Sequence, residues 1–345
     1  MSLLCSRMDS MHRCISANYL KKGSKHCSKL MELIPLGTSS ATIVQDRGLS
    51  AYVLRSRGKV LLFDCGDGTQ FRLLKAGIRR SRIRAIFISH LHGDHYLGIF
   101  GLLISMSLER REPPLTIVAP RELIDIIGAI PGLRPGEIHF QIQYVVLEED
   151  CKSQEVYRGH GLQVRAAPLD HGRFCVGYRV EKIDGPNQID GVLAHAHGID
   201  QQEQFQRLAA GHTIQLPDGR TVSPDQVKKR SRGAFAYVTD TRPCEGGLDL
   251  AGDADLLVHD ATFSQEDTER ASSTGHSTAR DAALLAKTAG AGKLLLTHFS
   301  ARYSDVTLLR QEAIAVFYNT EIAEEYREYS IVFEGDTSQT DSPNE

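Results

Sequence analysis

The sequence predicts an α/β protein, and three observations lead to this prediction. Short apolar, β-branched runs such as Ala85–Ser89 are typical of strands that are buried on both faces. The stretch that follows, from Tyr96 to about Glu109, has apolar residues at near-helical spacing. Polar side chains with catalytic potential stand directly after such strands, as they do at the carboxyl edge of an open α/β sheet. We therefore expect alternating strands and helices, with a functional site at one sheet edge.

The strongest motif follows the first of these strands and reads His90-Leu91-His92-Gly93-Asp94-His95. A pattern of four metal-ligating side chains in six positions arises by chance in about one chain of this length in a thousand. A catalytic zinc takes three protein ligands and keeps one position open, so the motif carries too many ligands for one ion. We expect His90 and His92 to face one metal ion and Asp94 and His95 to face its neighbour.

Further ligands must lie elsewhere, and His171, Asp240 and His298 are the candidates. Each stands just after an apolar run, and these runs are Leu162–Ala167, Ala234–Val238 and Leu294–Thr297. Taken singly, such a residue is more often an ordinary core or loop histidine, or an aspartate that begins a turn, than a metal ligand. Because strand ends of one sheet edge meet in space, we interpret the three together with the first motif as one ligand set.

These residues carry a resemblance to a known family. The ligand series resembles that of the metallo-β-lactamase superfamily, and within it the chain looks most like the ribonuclease Z family. The similarity covers about Met31 to Phe333 and includes four stretches outside the His90–His95 motif, which are Phe63–Gln70, Val258–Phe263, His276–Thr278 and Thr297–Tyr303. The resemblance implies a four-layer αβ/βα sandwich with a protruding arm. The catalytic domain would span residues 31–334, and the polar insertion at about 183–232 would form the arm.

The resemblance also implies which residue holds which ion. His90, His92, His171 and Asp240 would hold one Zn²⁺, and the other would be held by Asp94, His95, Asp240 and His298. Asp240 would bridge the pair, since one carboxylate can span two cations about 3.5–4 Å apart. We expect two Zn²⁺ per subunit, because imidazole-rich ligation favours zinc over magnesium, although Mn²⁺ or Fe²⁺ fits the same donors.

By the same resemblance, Asp94 acts as general base for the attacking water and His276 acts on the leaving oxygen or the transition state. His276 also precedes a predicted helix that Ser277 or Thr278 would cap. The implied activity is a metal-dependent endoribonuclease that removes 3′ trailers from tRNA precursors, leaving a 3′-hydroxyl on the tRNA and a 5′-phosphate on the trailer. Two alternatives remain open: a hydrolase of small phosphodiesters or other esters on the same fold, and a non-catalytic RNA-binding protein.

The implied partners are precursor tRNA and a second copy of the chain, because the family arm clamps tRNA across a homodimer. Within the arm we expect a short helix at Gln204–Ala210 and a tight hairpin at Leu216–Thr221. The arm departs from the family pattern, since Asp200 and Glu203 place negative charge where tRNA would approach. A second departure is the loop after Gly37-Thr38, where only Arg47 matches the family pattern. A third is Thr239, where the family often has glycine; we expect it to be tolerated because side-chain direction, rather than a special backbone angle, sets the ligand.

Composition sets outer bounds on the protein. The chain has 345 residues, of which 41% are hydrophobic and 24% charged, as in ordinary globular proteins. It contains no apolar run of about 18 residues, so we expect no membrane span. The seven cysteines are scattered and odd in number, which indicates reduced thiols in a cytoplasmic environment.

The charge and the chain ends complete the sequence-based expectations. The formal charge of −3 is unusual for an RNA-binding protein, so any RNA-binding charge must be local, as in Arg79–Arg84 or Lys228–Arg232. Residues 1–30 are basic and are expected to be disordered, and a transit-like leader that targets an organelle or sequence upstream of a start at Met31 fits them as well. The polar residues 335–345 are expected to be a disordered tail.

Overall fold

The computed structural model describes residues 31–183, 189–227 and 233–331. The two expected terminal extensions and the basic run Lys228–Arg232 lie outside these residues. None of the described helices is long and apolar enough to cross a membrane.

Two seven-stranded sheets form the centre of the fold, and their elements are numbered in chain order. The first sheet has the strand order β16-β1-β2-β3-β4-β5-β6. Its strands are β1 (Met31–Gly37), β2 (Ala51–Ser56), β3 (Lys59–Phe63), β4 (Ile83–Phe87), β5 (Leu115–Pro120), β6 (Ile142–Leu147) and β16 (Tyr329–Ile331). The second sheet has the order β15-β14-β13-β12-β9-β8-β7. Its strands are β7 (Gln154–Gly159), β8 (Leu162–Pro168), β9 (Val176–Lys182), β12 (Phe235–Val238), β13 (Leu256–Asp260), β14 (Leu294–Thr297) and β15 (Thr320–Ile322).

Helices cover the outer face of each sheet. Those packed on the first sheet are α1 (Thr69–Lys75), α2 (Gly93–Tyr96), α3 (Gly98–Leu108) and α4 (Arg121–Ala129). Those packed on the second sheet are α8 (Glu245–Ala251), α10 (Ala279–Thr288) and α11 (Thr307–Ile314), and α9 (Thr268–Thr274) precedes α10 in the chain. Two short 3₁₀ turns occupy Arg80–Arg82 and Gln265–Asp267. The helix, sheet, sheet, helix order confirms the predicted four-layer sandwich.

The layers are separated by three apolar clusters, and strand alternation assigns each side chain to one of them. On β3, Leu61 and Phe63 face the cluster between the sheets, while Val60 and Leu62 face the helices. The ring of Phe63 stacks on Phe87 with centroids 4.9 Å apart. Because both sheets bury both faces, these strands read as continuous apolar runs, which is why they were predictable from the sequence.

One predicted helix is divided in two. We expected a single helix from Tyr96 to about Glu109, but α2 ends at Tyr96 and α3 begins at Gly98. The backbone N–H of Gly98 donates to the carbonyl of Cys65 at 2.9 Å, so it is not used in a continuous helical ladder. The break therefore ties the ligand loop to the segment after β3.

The arm forms from α5 (Gly191–Ala196), α6 (Gln202–Ala209), the hairpin β10 (Ile214–Gln215) and β11 (Thr221–Val222), and α7 (Pro224–Val227). The predicted helix and hairpin are both present, with the helix starting two residues earlier. The arm has its own small apolar cluster, which includes Ile199, Leu208 and Ile214. It connects the end of β9 to the start of β12, and thus leaves the sheet edge opposite to the one at which the predicted ligands lie.

Candidate metal centre

The predicted site residues meet at one edge of the sandwich, where strands of both sheets end. The His90–His95 segment follows β4, while His171 follows β8, and Asp240 and His298 follow β12 and β14. Two further carboxylates, Asp64 after β3 and Asp260 at the end of β13, reach the same edge. The site is therefore built from strand ends of both sheets, packed against each other by the apolar cluster between them.

A first group of donor atoms consists of His90, His92, His171 and Asp240. His92 Nδ1 lies 2.9 Å from His90 Nε2 and 3.0 Å from His171 Nε2. Asp240 Oδ2 lies 3.5 Å from His90 Nε2 and 3.7 Å from His171 Nε2. Four donor atoms thus converge on one small volume.

A second group lies on the other side of Asp240 and consists of Asp94, His95 and His298. Nε2 of His95 and Nε2 of His298 are 3.2 Å apart, and each lies 3.5 Å from Asp94 Oδ2. The Asp240 carboxylate contacts both rings, with Oδ2 at 3.3 Å from His95 and Oδ1 at 3.2 Å from His298. Asp240 is therefore shared between the two groups.

These spacings fit metal ions. In a tetrahedral zinc site with bonds of 2.0–2.1 Å, neighbouring ligand atoms lie about 3.3 Å apart. The separations in both groups, between 2.9 and 3.7 Å, scatter around that value. Together with the imidazole and carboxylate chemistry of the donors, this spacing fits a divalent metal.

In His90 and His95, which follow β4 of the first sheet, Nδ1 is held by a hydrogen bond. This leaves Nε2 of each ring facing the other donor atoms. His95 Nδ1 donates to Asp64 Oδ2 at 2.7 Å. His90 Nδ1 lies 3.0 Å from Ser89 Oγ, whose hydroxyl donates to the same Asp64 oxygen at 2.9 Å. A carboxylate behind a metal-facing histidine fixes the tautomer and raises the basicity of the ring. Asp64 serves two histidines at once.

The second-sheet histidines are held in the same way. His298 Nδ1 lies 3.0 Å from Thr262 Oγ1, and that hydroxyl donates to Asp260 Oδ1 at 2.6 Å. His171 Nδ1 donates to the carbonyl oxygen of Gly275 at 2.8 Å. All four Nε2-presenting histidines therefore have an acceptor at Nδ1, which is the arrangement that a bound metal requires.

Burial and charge shift the pKa values of the cluster in opposite directions. Burial, followed by the proximity of His95, holds the pKa of His90 well below its usual value. Burial opposes protonation of His95 too, but the carboxylates of Asp240 and Asp64 outweigh it and raise the pKa of His95 well above the usual value. Burial alone would raise the pKa of Asp240, yet His298 and His95 hold it well below the usual value. The carboxylate is thus kept ionised, as a metal ligand must be.

Asp94 is held by the chain as well as by its histidine neighbours. Its Oδ2 accepts a hydrogen bond of 2.7 Å from the backbone N–H of Ala41, in the loop after β1. Burial would raise the pKa of Asp94, but His95 and His298 keep it below the usual range. Asp94 is therefore an ionised acceptor with a fixed orientation.

His276 lies beside the second group, just before α10. The helix starts with a capping box between Thr278 and Asp281, which confirms one of the two predicted caps. His276 Nδ1 donates to Asp260 Oδ2 at 2.9 Å. Burial disfavours the charged ring, but the Asp260 carboxylate outweighs burial and raises the pKa of His276 to about 9. A protonated imidazole at the rim of the centre is the result.

The backbone around Asp240 agrees with the expectation for Thr239 and adds a feature that was not expected. Thr239 has no positive φ, so a threonine fits there, whereas Asp240 has φ of 54° and His298 has φ of 59°, both in the left-handed region. Thr239, which was expected only to be tolerated, is fully buried and donates from Oγ1 to Asp240 Oδ1 at 2.9 Å. The Asp240 carboxylate therefore extends from a left-handed backbone position and accepts a hydrogen bond from the Thr239 hydroxyl.

The centre opens into a cleft of about 490 Å³. The residues that line it are Ser40, Ala41, Leu49, Asp67, His92, Gly93, Asp94, Leu97, Asp240, His276 and His298. All of the other predicted ligands are buried beneath this surface. The cleft gives a substrate access to the two donor groups from one side.

Asp64, Ser89, Asp260 and Thr262 support the ligands but are not among the candidates that the sequence motifs predict. The signal that identified the ligands applies to the two carboxylates as well, because each stands at the carboxyl end of an apolar strand. No local pattern distinguishes a residue that touches the metal from one that holds a ligand. That distinction needs distances across the two sheets.

Comparisons with known proteins agree with this architecture. A family model described as a β-lactamase superfamily domain matches residues 193–299, and one described as the anti-Pycsar protein Apyc1 matches residues 31–130. The structure of the metallo-β-lactamase fold protein YhfI from Bacillus subtilis has a TM-score of 0.62 at 19% identity, covering 88% of this chain and 100% of that one. The chain thus has the metallo-β-lactamase fold, with a His/Asp centre at one edge of its sheets.

Closer relatives narrow the class. A ribonuclease Z of Salinibacter ruber is 46% identical over 304 residues, covering 87% of this chain and 94% of the relative. A ribonuclease BN of Escherichia coli is 37% identical over 309 residues, covering 87% of this chain and 100% of the relative. The structure of human tRNase Z, short form, has a TM-score of 0.62 at 28% identity over 87% of this chain and 99% of that one. The chain belongs to the ribonuclease Z family.

Proposed function

We propose that the chain is a metal-dependent endoribonuclease that removes the 3′ trailer from tRNA precursors. The observation that carries the proposal is the pair of donor groups sharing Asp240 in a chain of the ribonuclease Z family. The cut would leave a 3′-hydroxyl on the tRNA and a 5′-phosphate on the trailer. Homologues named ribonuclease Z and the structural likeness to human tRNase Z support this substrate.

The proposed metal content is two Zn²⁺ per subunit, with Mn²⁺ or Fe²⁺ as ions that fit the same donors. His90, His92, His171 and Asp240 would hold one ion, and Asp94, His95, Asp240 and His298 the other. When bound, such a pair supplies a water of lowered pKa and positive charge for the scissile phosphate. The sharing of Asp240 supports this assignment, since its two oxygens reach both groups.

The proposed proton transfers use two residues of the chain. Asp94, kept ionised and oriented by the Ala41 N–H, accepts a proton from the attacking water. His276, kept protonated by Asp260, donates a proton to the oxygen that leaves the phosphorus. The two residues therefore act as base and acid at one cleft.

The proposed role of the arm is to hold the tRNA body, as the family resemblance implies. Each hydrogen bond that residues 189–227 make with other described residues stays within that segment. The arm is thus a separately bonded segment, and none of its described side chains belongs to the two donor groups. Asp200 and Glu203 are exposed on it, as anticipated, and Asp200 pairs with His195 at 2.8 Å.

We also propose that the chain forms a homodimer. The outer surfaces of α1 and α3 expose Phe71, Leu74 and Leu108, each more than 70% accessible, in one region where the two helices contact. Apolar side chains grouped in this way are typical of a protein interface. Because the arm leaves the edge opposite to the metal centre, an arm that serves the active site of a partner subunit would also explain its position. Sedimentation of wild type and Phe71→Glu tests the interface, with a monomeric variant as the expected result.

The free thiols of Cys65, Cys151, Cys175 and Cys244 support a reducing compartment, and we propose the cytoplasm.

The decisive experiment gives the metal-loaded protein two substrates, a tRNA precursor with a 3′ trailer and bis(p-nitrophenyl) phosphate. We expect cleavage of both, with RNA products ending in a 3′-hydroxyl and a 5′-phosphate. Hydrolysis of the small ester alone would instead favour a small-ester hydrolase. The acidic residues Asp200 and Glu203 of the arm are the observation that supports this alternative. Tight tRNA binding without cleavage of either substrate would favour a non-catalytic RNA-binding protein.

A further inference from the structure

Two hairpin tips meet at the sandwich edge opposite to the metal centre. The β2–β3 tip is Arg57-Gly58, with φ of 48° and 71°, and the β7–β8 tip is His160-Gly161, with φ of 56° and 78°. Two consecutive positive φ values are what the tight I′ hairpin turn requires. The tips are therefore fixed in shape, and so are the positions from which their side chains extend.

Positively charged side chains converge where the two tips meet. A Cβ placed on Gly161 would lie 3.1 Å from Arg57 Nη1, and one on Gly58 would lie 3.9 Å from Arg82 Nη1. The charges of Lys59 and Arg84 both act on His160, whose pKa is lowered by burial and then by these two cations. We call this cluster the basal patch, and its members are Arg57, Lys59, Arg82, Arg84 and His160.

The cations of the basal patch are not neutralised within the part of the chain that the structure describes. Arg57, Lys59 and Arg82 form no salt bridge with a described carboxylate. Arg84 donates only to the backbone carbonyls of Ser81 and Ile83. By contrast, Arg80 in the same basic run pairs with Glu109. In a chain with a net charge of −3, this patch keeps a local positive potential.

The arm starts from the same edge. β9 ends at Lys182, and the next residue, Ile183, donates its N–H to the carbonyl of Gly161 at 2.8 Å. The patch is therefore beside the root of the arm. The basal patch is far from the candidate metal centre, since the six residue steps from Arg84 to His90 span about 20 Å in extended form. An RNA bound at the start of the arm would therefore lie next to the basal patch.

We propose that the basal patch binds the phosphate backbone of the tRNA body next to the arm. The inference rests on the proposed function, which it extends to a second RNA contact. Unpaired arginines and lysines in fixed positions suit phosphates, which carry one charge at each nucleotide. A lipid surface fits less well, because none of the large apolar side chains exposed among the described residues lies in either tip.

The test compares wild type with the triple variant Arg57→Gln, Lys59→Gln and Arg82→Gln, both metal-loaded. Mature tRNA without a trailer is the ligand, so binding does not depend on cleavage. Its dissociation constant is measured by fluorescence anisotropy over a series of KCl concentrations. We expect weaker binding at every concentration and a plot of log affinity against log salt that is flatter by about one unit per lost contact, or about three in total.

A matched control removes three exposed cations elsewhere, with Arg134→Gln, Lys287→Gln and Arg310→Gln. We expect it to keep the wild-type salt slope, and both variants to hydrolyse bis(p-nitrophenyl) phosphate at the wild-type rate. An unchanged slope in the patch variant, or an equal change in the control, overturns the basal patch as an RNA contact. Loss of binding to phosphatidylserine vesicles with unchanged tRNA binding would also overturn it, in favour of a lipid surface. If wild type cleaves no precursor tRNA, the proposed function fails first and by a separate measurement.

Discussion

The metal centre and the arm are built in opposite ways. In the centre, the donor residues come from four strand ends of the two sheets, and Asp240 contacts His298 from its own sheet and His95 from the other sheet. In the arm, residues 189–227 bond with one another, and Leu208 packs against neighbours from the same segment. The metal centre therefore depends on contacts between distant parts of the fold, whereas the arm is held together by contacts within residues 189–227.

This difference indicates which amino-acid substitutions each region tolerates. When one member of a buried polar network is removed, the remaining members lose their hydrogen-bond partners, so each substitution is strongly destabilising. A local unit with an exposed surface can change its surface residues at little cost. We therefore expect the metal centre to be sensitive to single atoms, and the arm to respond mainly to the loss of its apolar cluster or of the whole segment.

The largest effect is expected from Asp240→Ala. It removes the carboxylate shared by the two donor groups, so metal binding should fall in both at once. Loss of several kcal/mol of transition-state stabilisation corresponds to a decrease in kcat of at least about a thousandfold. Metal analysis and hydrolysis of bis(p-nitrophenyl) phosphate measure the two consequences. A variant that keeps both ions would show that Asp240 does not link the groups.

An intermediate and selective effect is expected from deleting the arm. Replacing residues 189–227 with a short Gly/Ser linker removes the complete apolar cluster, whereas deletion of Ile189–Ala209 alone would leave Ile214 and Leu216 without their partners. We expect kcat/KM for precursor tRNA to fall about a hundredfold, because binding energy from remote contacts is lost. Hydrolysis of the small ester should stay at the wild-type rate. Equal losses on both substrates would mean that the arm supports the fold of the centre.

The smallest effect is expected from Thr239→Val, which keeps the side-chain shape and removes the hydroxyl that donates to Asp240. One hydrogen bond of about 0.5–1.5 kcal/mol should weaken metal retention about threefold to tenfold, measured as the rate of metal loss to a chelator. Thr239→Ser keeps the hydroxyl and serves as the control. If valine and serine variants lose metal at the same rate, the hydroxyl does not position the carboxylate.

The sequence was informative wherever a local pattern reported a local structure. The apolar runs before His90, His171, Asp240 and His298 predicted strands, and β4, β8, β12 and β14 are present at these places. The helix and hairpin of the arm followed from spacing and turn residues in the same way. The roles of the seven proposed ligands stay predictions, but the structure does bring their side chains together.

Other features could not be predicted from local patterns. The division between α2 and α3 arises because Gly98 bonds to Cys65, more than thirty positions earlier in the chain. The hydrogen bond from the Thr239 hydroxyl to Asp240 and the left-handed backbone at Asp240 are also not revealed by the neighbouring residues in the sequence. Asp64 is likewise buried behind His95 by packing of the two sheets.

The amino-acid sequence by itself determined the elements and the chemistry, because hydrophobic periodicity and donor types are properties of short stretches. It was enough to identify the strand ends, the metal-ligating residue types and the inserted arm. Only the tertiary structure decided which oxygen of Asp240 faces which group, which carboxylates support the histidines, and that Arg57 and His160 share one surface. The physical reason is that these relations are distances between strands of two different sheets, and such distances are set by how the apolar faces pack.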